Sequence, residues 1–208
     1  FYDNEIELSK SLFGIASNFT HLENFNEAKK YFLQSLSLYE KLDDLEGVAN
    51  IYNDLGRLYY LENKVDKAIE MLHKCIEIDM QMDNREGLGY SYSNIGTFYS
   101  NKNELDLALN YHLTSIEIRK ELGNEVLLGR SFNNIANVYS AKKDYPKAIE
   151  FYTKSLEIKR ELGNSYEVIV TLNNLGDTYL ETGLHAQEAY SCLKEANNLL
   201  DSSNVTLN

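Results

Sequence analysis

The sequence predicts an all-α protein of five stacked antiparallel helix pairs, and two observations carry that prediction. The first is a phrase that returns about every 40 residues, a period that marks a repeat architecture. It reads Asn53-Asp54-Leu55-Gly56-Arg57-Leu58-Tyr59, then Ser93-Asn94-Ile95-Gly96-Thr97-Phe98-Tyr99, then Asn133-Asn134-Ile135-Ala136-Asn137-Val138-Tyr139, then Asn173-Asn174-Leu175-Gly176-Asp177-Thr178-Tyr179. A degraded first copy is Phe13-Gly14-Ile15-Ala16-Ser17-Asn18-Phe19. The second observation is a small residue that recurs between these phrases, at Ala28, Ala68, Ala108 and Ala148, and one residue out of step at Ala189. A small residue repeated at one helical position means close contact between helices.

Each period holds two helical patterns, A and B. In the second copy, helix A is expected over about Glu46–Glu62, with Ile51 or Tyr52, Leu55, Gly56 and Tyr59 forming one apolar stripe at helical spacing. Helix B is expected over about Val65–Gln81, with Val65, Ala68, Ile69, Leu72 and Ile76 as its stripe. The B-to-A junctions read Leu42-Asp43-Asp44, Met82-Asp83-Asn84, Leu122-Gly123-Asn124 and Leu162-Gly163-Asn164. Their middle residue, Gly or Asp, tolerates the left-handed conformation that closes a helix, and the Asp or Asn after it caps the next one. The A-to-B turns are short and polar, at Glu23-Asn24, Asn63-Lys64, Asn103-Glu104 and Lys143-Asp144. Pro146, the only proline, falls in the first turn of a helix B, where no amide hydrogen bond is lost. The fifth copy carries a single insertion near Gly183-Leu184-His185-Ala186. The repeats are bounded at about 4–43, 44–83, 84–123, 124–163 and 164–201, forming one domain over residues 1–200, with 202–208 as a polar tail or linker. One helix pair cannot bury its stripe alone, and stacked neighbours bury it together.

Composition bounds the function. Hydrophobic residues make up 43% of the 208, enough for a core, and the formal net charge is −12. Nucleic-acid and anionic membrane surfaces require clustered Lys and Arg, so both are excluded as partners. A neutral or basic protein partner is favoured. Cys75 and Cys192 form neither a disulfide framework nor a zinc pattern, which fits a reducing, cytoplasmic setting. No apolar run is long enough to span a membrane, and the N-terminus has neither the basic nor the apolar region of a signal peptide. The missing initiator Met and the polar tail lead to the expectation of a module excised from a longer chain.

The spacing of Ile135, Ala136, Tyr139, Ala148 and Tyr152 resembles the tetratricopeptide repeat. The usual repeat is about 34 residues; the longer form here resembles repeats of kinesin light chains, Pins-type scaffolds, bacterial Rap-type regulators and the input regions of some bacterial histidine kinases and cyclases. Leu172, Phe132, Tyr92 and Tyr52 stand where the family often has Trp, and the proline that ends helix B in the shorter form is absent. The resemblance implies a right-handed superhelical solenoid with the A helices lining a concave groove, and a protein- or peptide-binding scaffold.

A helical wheel at about 100° per residue assigns the residues that would face such a groove, opposite the core stripe. They are Asn53, Asp54, Arg57, Tyr60, Tyr90, Asn94, Thr97, Arg130, Asn133, Asn134, Asn137, Asn173, Asn174 and Asp177. This is a ladder of amides. An Asn side chain both donates and accepts, so it pairs with peptide N–H and C=O groups without reading sequence, while Tyr60 and Tyr90 offer aromatic anchors. A clamp for a partner's carboxylate would need successive basic residues, and only Arg57 and Arg130 are basic here.

Catalytic, metal and cofactor sites are not expected. His21, His73, His112 and His185 are scattered, and His112, in the place of Phe32 and Tyr152, reads as a half-buried packing residue. Cys75 takes the small-residue slot of Ser35, Ser115 and Ser155, and the charges of Glu117-Ile118-Arg119-Lys120-Glu121 read as solvated pairs on a helix surface. The leading expectation is a non-catalytic scaffold that binds a protein or extended peptide in the Asn-lined groove, with self-association possible through the end repeats. The second is a sensing input domain of a larger signalling protein such as a histidine kinase, cyclase or transcription regulator.

Overall fold

The structure, a computed structural model, describes the backbone of residues 2–205 and the side chains of residues 4–201. Ten α-helices occupy the described residues, and no strand is present among them: α1 (Tyr2–His21), α2 (Phe25–Lys41), α3 (Leu45–Leu61), α4 (Val65–Gln81), α5 (Arg85–Asn101), α6 (Leu105–Glu121), α7 (Glu125–Ala141), α8 (Tyr145–Glu161), α9 (Ser165–Glu181) and α10 (Ala186–Val205). Odd-numbered helices are the A elements and even-numbered ones the B elements. Helix α10 extends to Val205, into the segment expected as a polar tail. The rest of that tail, 206–208, and the side chains of 202–205 lie outside the described residues.

The junction chemistry follows the sequence. Asp43, Asp83, Gly123 and Gly163 are left-handed, with φ of 53°, 52°, 64° and 68°. The next residue caps the following A helix: Asp44 accepts from the Gly47 amide at 2.9 Å, Asn84 from Gly87 at 3.1 Å, Asn124 from Leu127 at 3.1 Å and Asn164 from Glu167 at 3.1 Å. Between α9 and α10 the turn has one residue more than the other A-to-B turns, which places the insertion where the sequence located it.

The chain divides into two compact units, residues 1–98 and 99–208, with the boundary inside α5. In the first, α1 packs on α2, α2 on α3 and α3 on α4. Its buried side chains include Ala16, Ala28, Phe32, Leu55, Leu58, Ala68 and Leu72. In the second, α6 packs on α7, α7 on α8, α8 on α9 and α9 on α10. Its core joins Ala136, Ala148, Tyr152, Leu156, Val168, Leu172, Leu175 and Ala196. Ala28, Ala68, Ala108, Ala148 and Ala189 are all fully buried. Opposite Ala68 stands Gly56, where an added Cβ would meet Leu72 Cγ at 3.2 Å and the Ala68 carbonyl at 3.3 Å.

The A helices bury a broader arc than one wheel face. Leu58, Phe98, Val138 and Thr178 are buried, as are Ile51, Ser91, Ser131 and Thr171. The reason is that an interior A helix has more than one neighbour: α3 touches α4, α2 and α1, and α9 touches α10, α8 and α7. The single core stripe expected from the sequence is corrected accordingly.

A second correction concerns charge. The last turns of α2, α4, α6 and α8 place Tyr39, Asp79, Arg119 and Lys159 at equivalent repeat positions, and all four are buried. Each faces the first turns of the next A helix. The Tyr39 ring lies where a Cβ on Gly47 would stand. Arg119 donates to the Leu127 carbonyl at 3.2 Å and to the Ser131 hydroxyl. Lys159 donates to Thr171 Oγ1 at 2.8 Å and pairs with Glu167 at 3.0 Å. Arg119 is therefore not one of the solvated surface charges of Glu117–Glu121, because it faces α7 and is bonded there. His112 is fully buried rather than half-buried; burial, with the Arg119 charge adding to it, pulls its imidazole down to about 4. Burial also pulls the Lys159 ammonium below its ordinary value, more than Glu167 lifts it. Burial pushes the Glu167 carboxyl up, but Lys159 and Arg130 outweigh that and hold it below its ordinary value.

Two outcomes follow from this packing. Replacing Gly56 with Leu overpacks the contact with Ala68 and Leu72 and lowers stability by about 1–3 kcal/mol in urea unfolding; an unchanged midpoint would contradict the close A–B approach. Burial holds the Asp79 carboxyl above its ordinary value, only partly offset by its bonds from Asn84 and Cys75. The folded state thus binds that proton more tightly than the unfolded one. Its contribution is complete below the ordinary carboxylate value of about 3.9 and is lost as pH rises through the raised one. Asp79→Asn removes this loss, so the melting temperature of the variant relative to the parent rises as the pH is raised above about 4; a pH-independent difference would contradict it.

Candidate functional site

The fourteen residues expected to face a groove take distinct places in the two units. In the first unit, Asp54 and Arg57 pair along α3 at 2.9 Å. Tyr60 stacks on Phe98 with centroids 4.4 Å apart and planes 11° from parallel, so one face of its ring is covered. The Thr97 hydroxyl donates back to the Ser93 carbonyl at 3.1 Å, and Asn94 is half-buried. Asn53 and Tyr90 come together on the wall of one cavity of about 150 Å³, along with Asn50 and Glu46 of α3. Its floor holds Asp79 of α4 and Asn84, whose amide donates to Asp79 Oδ1 at 2.7 Å. Cys75 donates weakly to Asp79 Oδ2 at 3.5 Å, and burial pushes this thiol up to about 12, so it is neutral and not a nucleophile.

In the second unit, Asn133 is buried and accepts from Thr171 Oγ1 at 3.1 Å, which ties α7 to α9. It therefore serves packing between repeats rather than an open face. Arg130 donates to Glu167 at 2.9 Å, and Lys159 holds the other carboxylate oxygen of Glu167. The remaining residues form an open polar surface. Asn137 accepts from the Tyr152 hydroxyl at 2.5 Å and from the Asn174 amide at 3.4 Å, which leaves its own NH₂ group to donate. Burial pushes the Tyr152 phenol up to about 12, which keeps it a donor at neutral pH. Asn134 is half-buried and Asn173 exposed, and neither bonds to another side chain among the described residues. Asn137, Asn174 and Asp177 line a recess of about 250 Å³ together with Ser140, Tyr152, Thr178 and Glu181.

Sequence reasoning missed Tyr152 as a contributor to this recess and Asp79 as the floor of the other cavity. Asp79 was detectable, since it lies three residues beyond Ile76 and seven beyond Leu72 on the apolar stripe of α4. Among the described residues, no group of three or more His, Cys, Asp or Glu side chains could hold a metal ion. No helix among them is long and apolar enough to cross a membrane.

Comparison with known proteins bears on the fold. The family model described as "Tetratricopeptide repeat" matches residues 7–81, 87–161 and 127–196. Regulatory protein RapK of Bacillus subtilis (strain 168) is 31% identical over 74 residues, 36% of this chain and 20% of RapK. Among solved structures, BtubC (BKLC) from P. vanneervenii is 20% identical with a TM-score of 0.88, covering 98% of this chain and 85% of its own. A signal transduction ATPase with numerous domains and a tetratricopeptide repeat sensor, PH0952 from Pyrococcus horikoshii, is 20% identical with a TM-score of 0.87, covering 96% of this chain. The chain spans about a fifth of RapK and 31% of PH0952. Repeat length, helix pairing and the family match agree: the chain belongs to the tetratricopeptide repeat family.

Proposed function

We propose that the protein is a non-catalytic protein-binding module, and that the amide face of α7 and α9 holds an extended segment of its partner. The observation that carries this reading is the open recess lined by Asn137, Asn174 and Asp177, with Asn134 and Asn173 on the same two helices. The Asn137 NH₂, the Asn174 carbonyl and the whole amides of Asn134 and Asn173 supply both donors and acceptors. An extended backbone presents both as well. Each such bond contributes about 1 kcal/mol net, so affinity comes from several together. The acidic balance of the chain, −12 in net charge, favours a neutral or basic partner. Selection of peptides from a displayed library on the intact chain supplies a ligand for the test. Replacing Asn134 and Asn174 together with Ala weakens that ligand at least about tenfold with little change in melting temperature; unchanged affinity would overturn the reading.

A second reading is supported by the similarity to RapK and to the sensor-bearing PH0952. In it, the chain is the sensing part of a regulator, and the partner biases the conformation of the helix stack. Small-angle scattering with and without the selected ligand separates the two. An unchanged radius of gyration fits a static scaffold, and a shift beyond the added mass of the ligand fits a sensor.

A further inference from the structure

The cavity of the first unit is lined by a buried carboxyl group to which no basic side chain among the described residues is bonded. Asp79 is 1% exposed, and its partners among the described residues are the uncharged Asn84 and Cys75. A carboxylate accepts about four hydrogen bonds, and Asp79 receives one strong bond and one weak one. One other repeat shows a charge at this position neutralised from the next A helix. At the equivalent place on α8, Lys159 is neutralised by Glu167 of the next A helix. The residue equivalent to Glu167 beside Asp79 is Gly87. A Cβ on Gly87 would stand 2.5 Å from both Asp79 Oδ2 and the Asn84 amide, so only a glycine leaves room there for this carboxylate and its amide partner. In place of a countercharge, the structure has a cavity of about 150 Å³ with Glu46, Asn50, Asn53 and Tyr90 around it.

We propose that this cavity binds the guanidinium group of an arginine side chain presented by a protein partner, with Asp79 as its counter-ion. A volume near 150 Å³ accommodates a small planar group. A guanidinium brings a fixed charge and five donors in a planar fork, matched here to the carboxylate at the floor and to the acceptors of Glu46, Asn50 and Asn53. The head of a lysine is a point charge with three donors and meets fewer of them. The proposal rests on the partner-binding reading for the source of the arginine, but the site lies in a different unit from the amide face.

The test is an NMR titration of the full chain with N-acetyl-arginine amide, N-acetyl-citrulline amide and N-acetyl-lysine amide, following the Asn84 side-chain amide and the Gly87 backbone amide. The arginine probe shifts both resonances saturably, the uncharged citrulline probe does not, and the lysine probe binds at least tenfold more weakly. Asp79→Asn abolishes the arginine response. Glu46→Gln, at an exposed residue that leaves the fold intact, weakens it severalfold and keeps the site testable should the Asp79 variant not fold. Equal response to arginine and citrulline, or full affinity in either variant, would overturn the proposal; equal binding of lysine would overturn the guanidinium assignment. The Asn134→Ala/Asn174→Ala protein retains the arginine response, so failure of the amide face and failure of this cavity are read separately.

Discussion

The architecture of both units depends on how closely each A helix approaches its own B helix. That approach is set by small residues: a fully buried Ala on every B helix and, on α3 and α9, a Gly packed directly against the partner B helix. At Gly176, an added Cβ would meet Leu193 Cγ at 3.2 Å, much as at Gly56 with Leu72. These glycines lower helix propensity by about 1 kcal/mol each. They are retained because a side chain there would push the helices apart and uncover Leu55, Leu72, Leu172 and Leu175, which the pairing buries. Once the apolar residues are committed to these contacts, what remains at the recess of α7 and α9 is amide, hydroxyl and carboxylate.

Much of this was legible in the sequence because it is periodic. A period of about 40 residues fixes the helix pairs, and the Leu-Gly-Asn and Met-Asp-Asn junctions fix where each pair ends, since one residue must be left-handed and the next must cap. The residues that misled are those whose surroundings come from a neighbouring repeat. Asn133 and Asn173 occupy the same place in the phrase, yet Asn133 is sealed by Thr171 of the following A helix while Asn173 is exposed. Within one helix the two are equivalent; the next repeat decides between them. Arg119 misled in the same way, because its partner Ser131 lies on the following helix.

The buried Asp79, Arg119 and Lys159 show how the repeats are individualised. A buried ion pair adds little net stability, but an unmatched buried charge is costly. Lys159 is paired with Glu167, while Arg119 donates to a carbonyl and a hydroxyl of the next A helix. Asp79 is matched by one amide and a thiol, and its raised carboxyl value is the electrostatic sign of that incomplete match. A scaffold that repeats its packing while varying these positions can place different chemistry at each junction without disturbing the fold.

The central claim is that packing exhausts the apolar stripe and leaves the amide face of α7 and α9 to bind partners. The most direct measurement is the set of side-chain amide resonances of the intact chain, recorded with and without a peptide selected on it. The account predicts perturbation at Asn134, Asn137, Asn173 and Asn174, with the buried Asn133 and the outward Asn110 of α6 unmoved. Perturbation concentrated on Asn110 or elsewhere on the exposed faces of the B helices would contradict it.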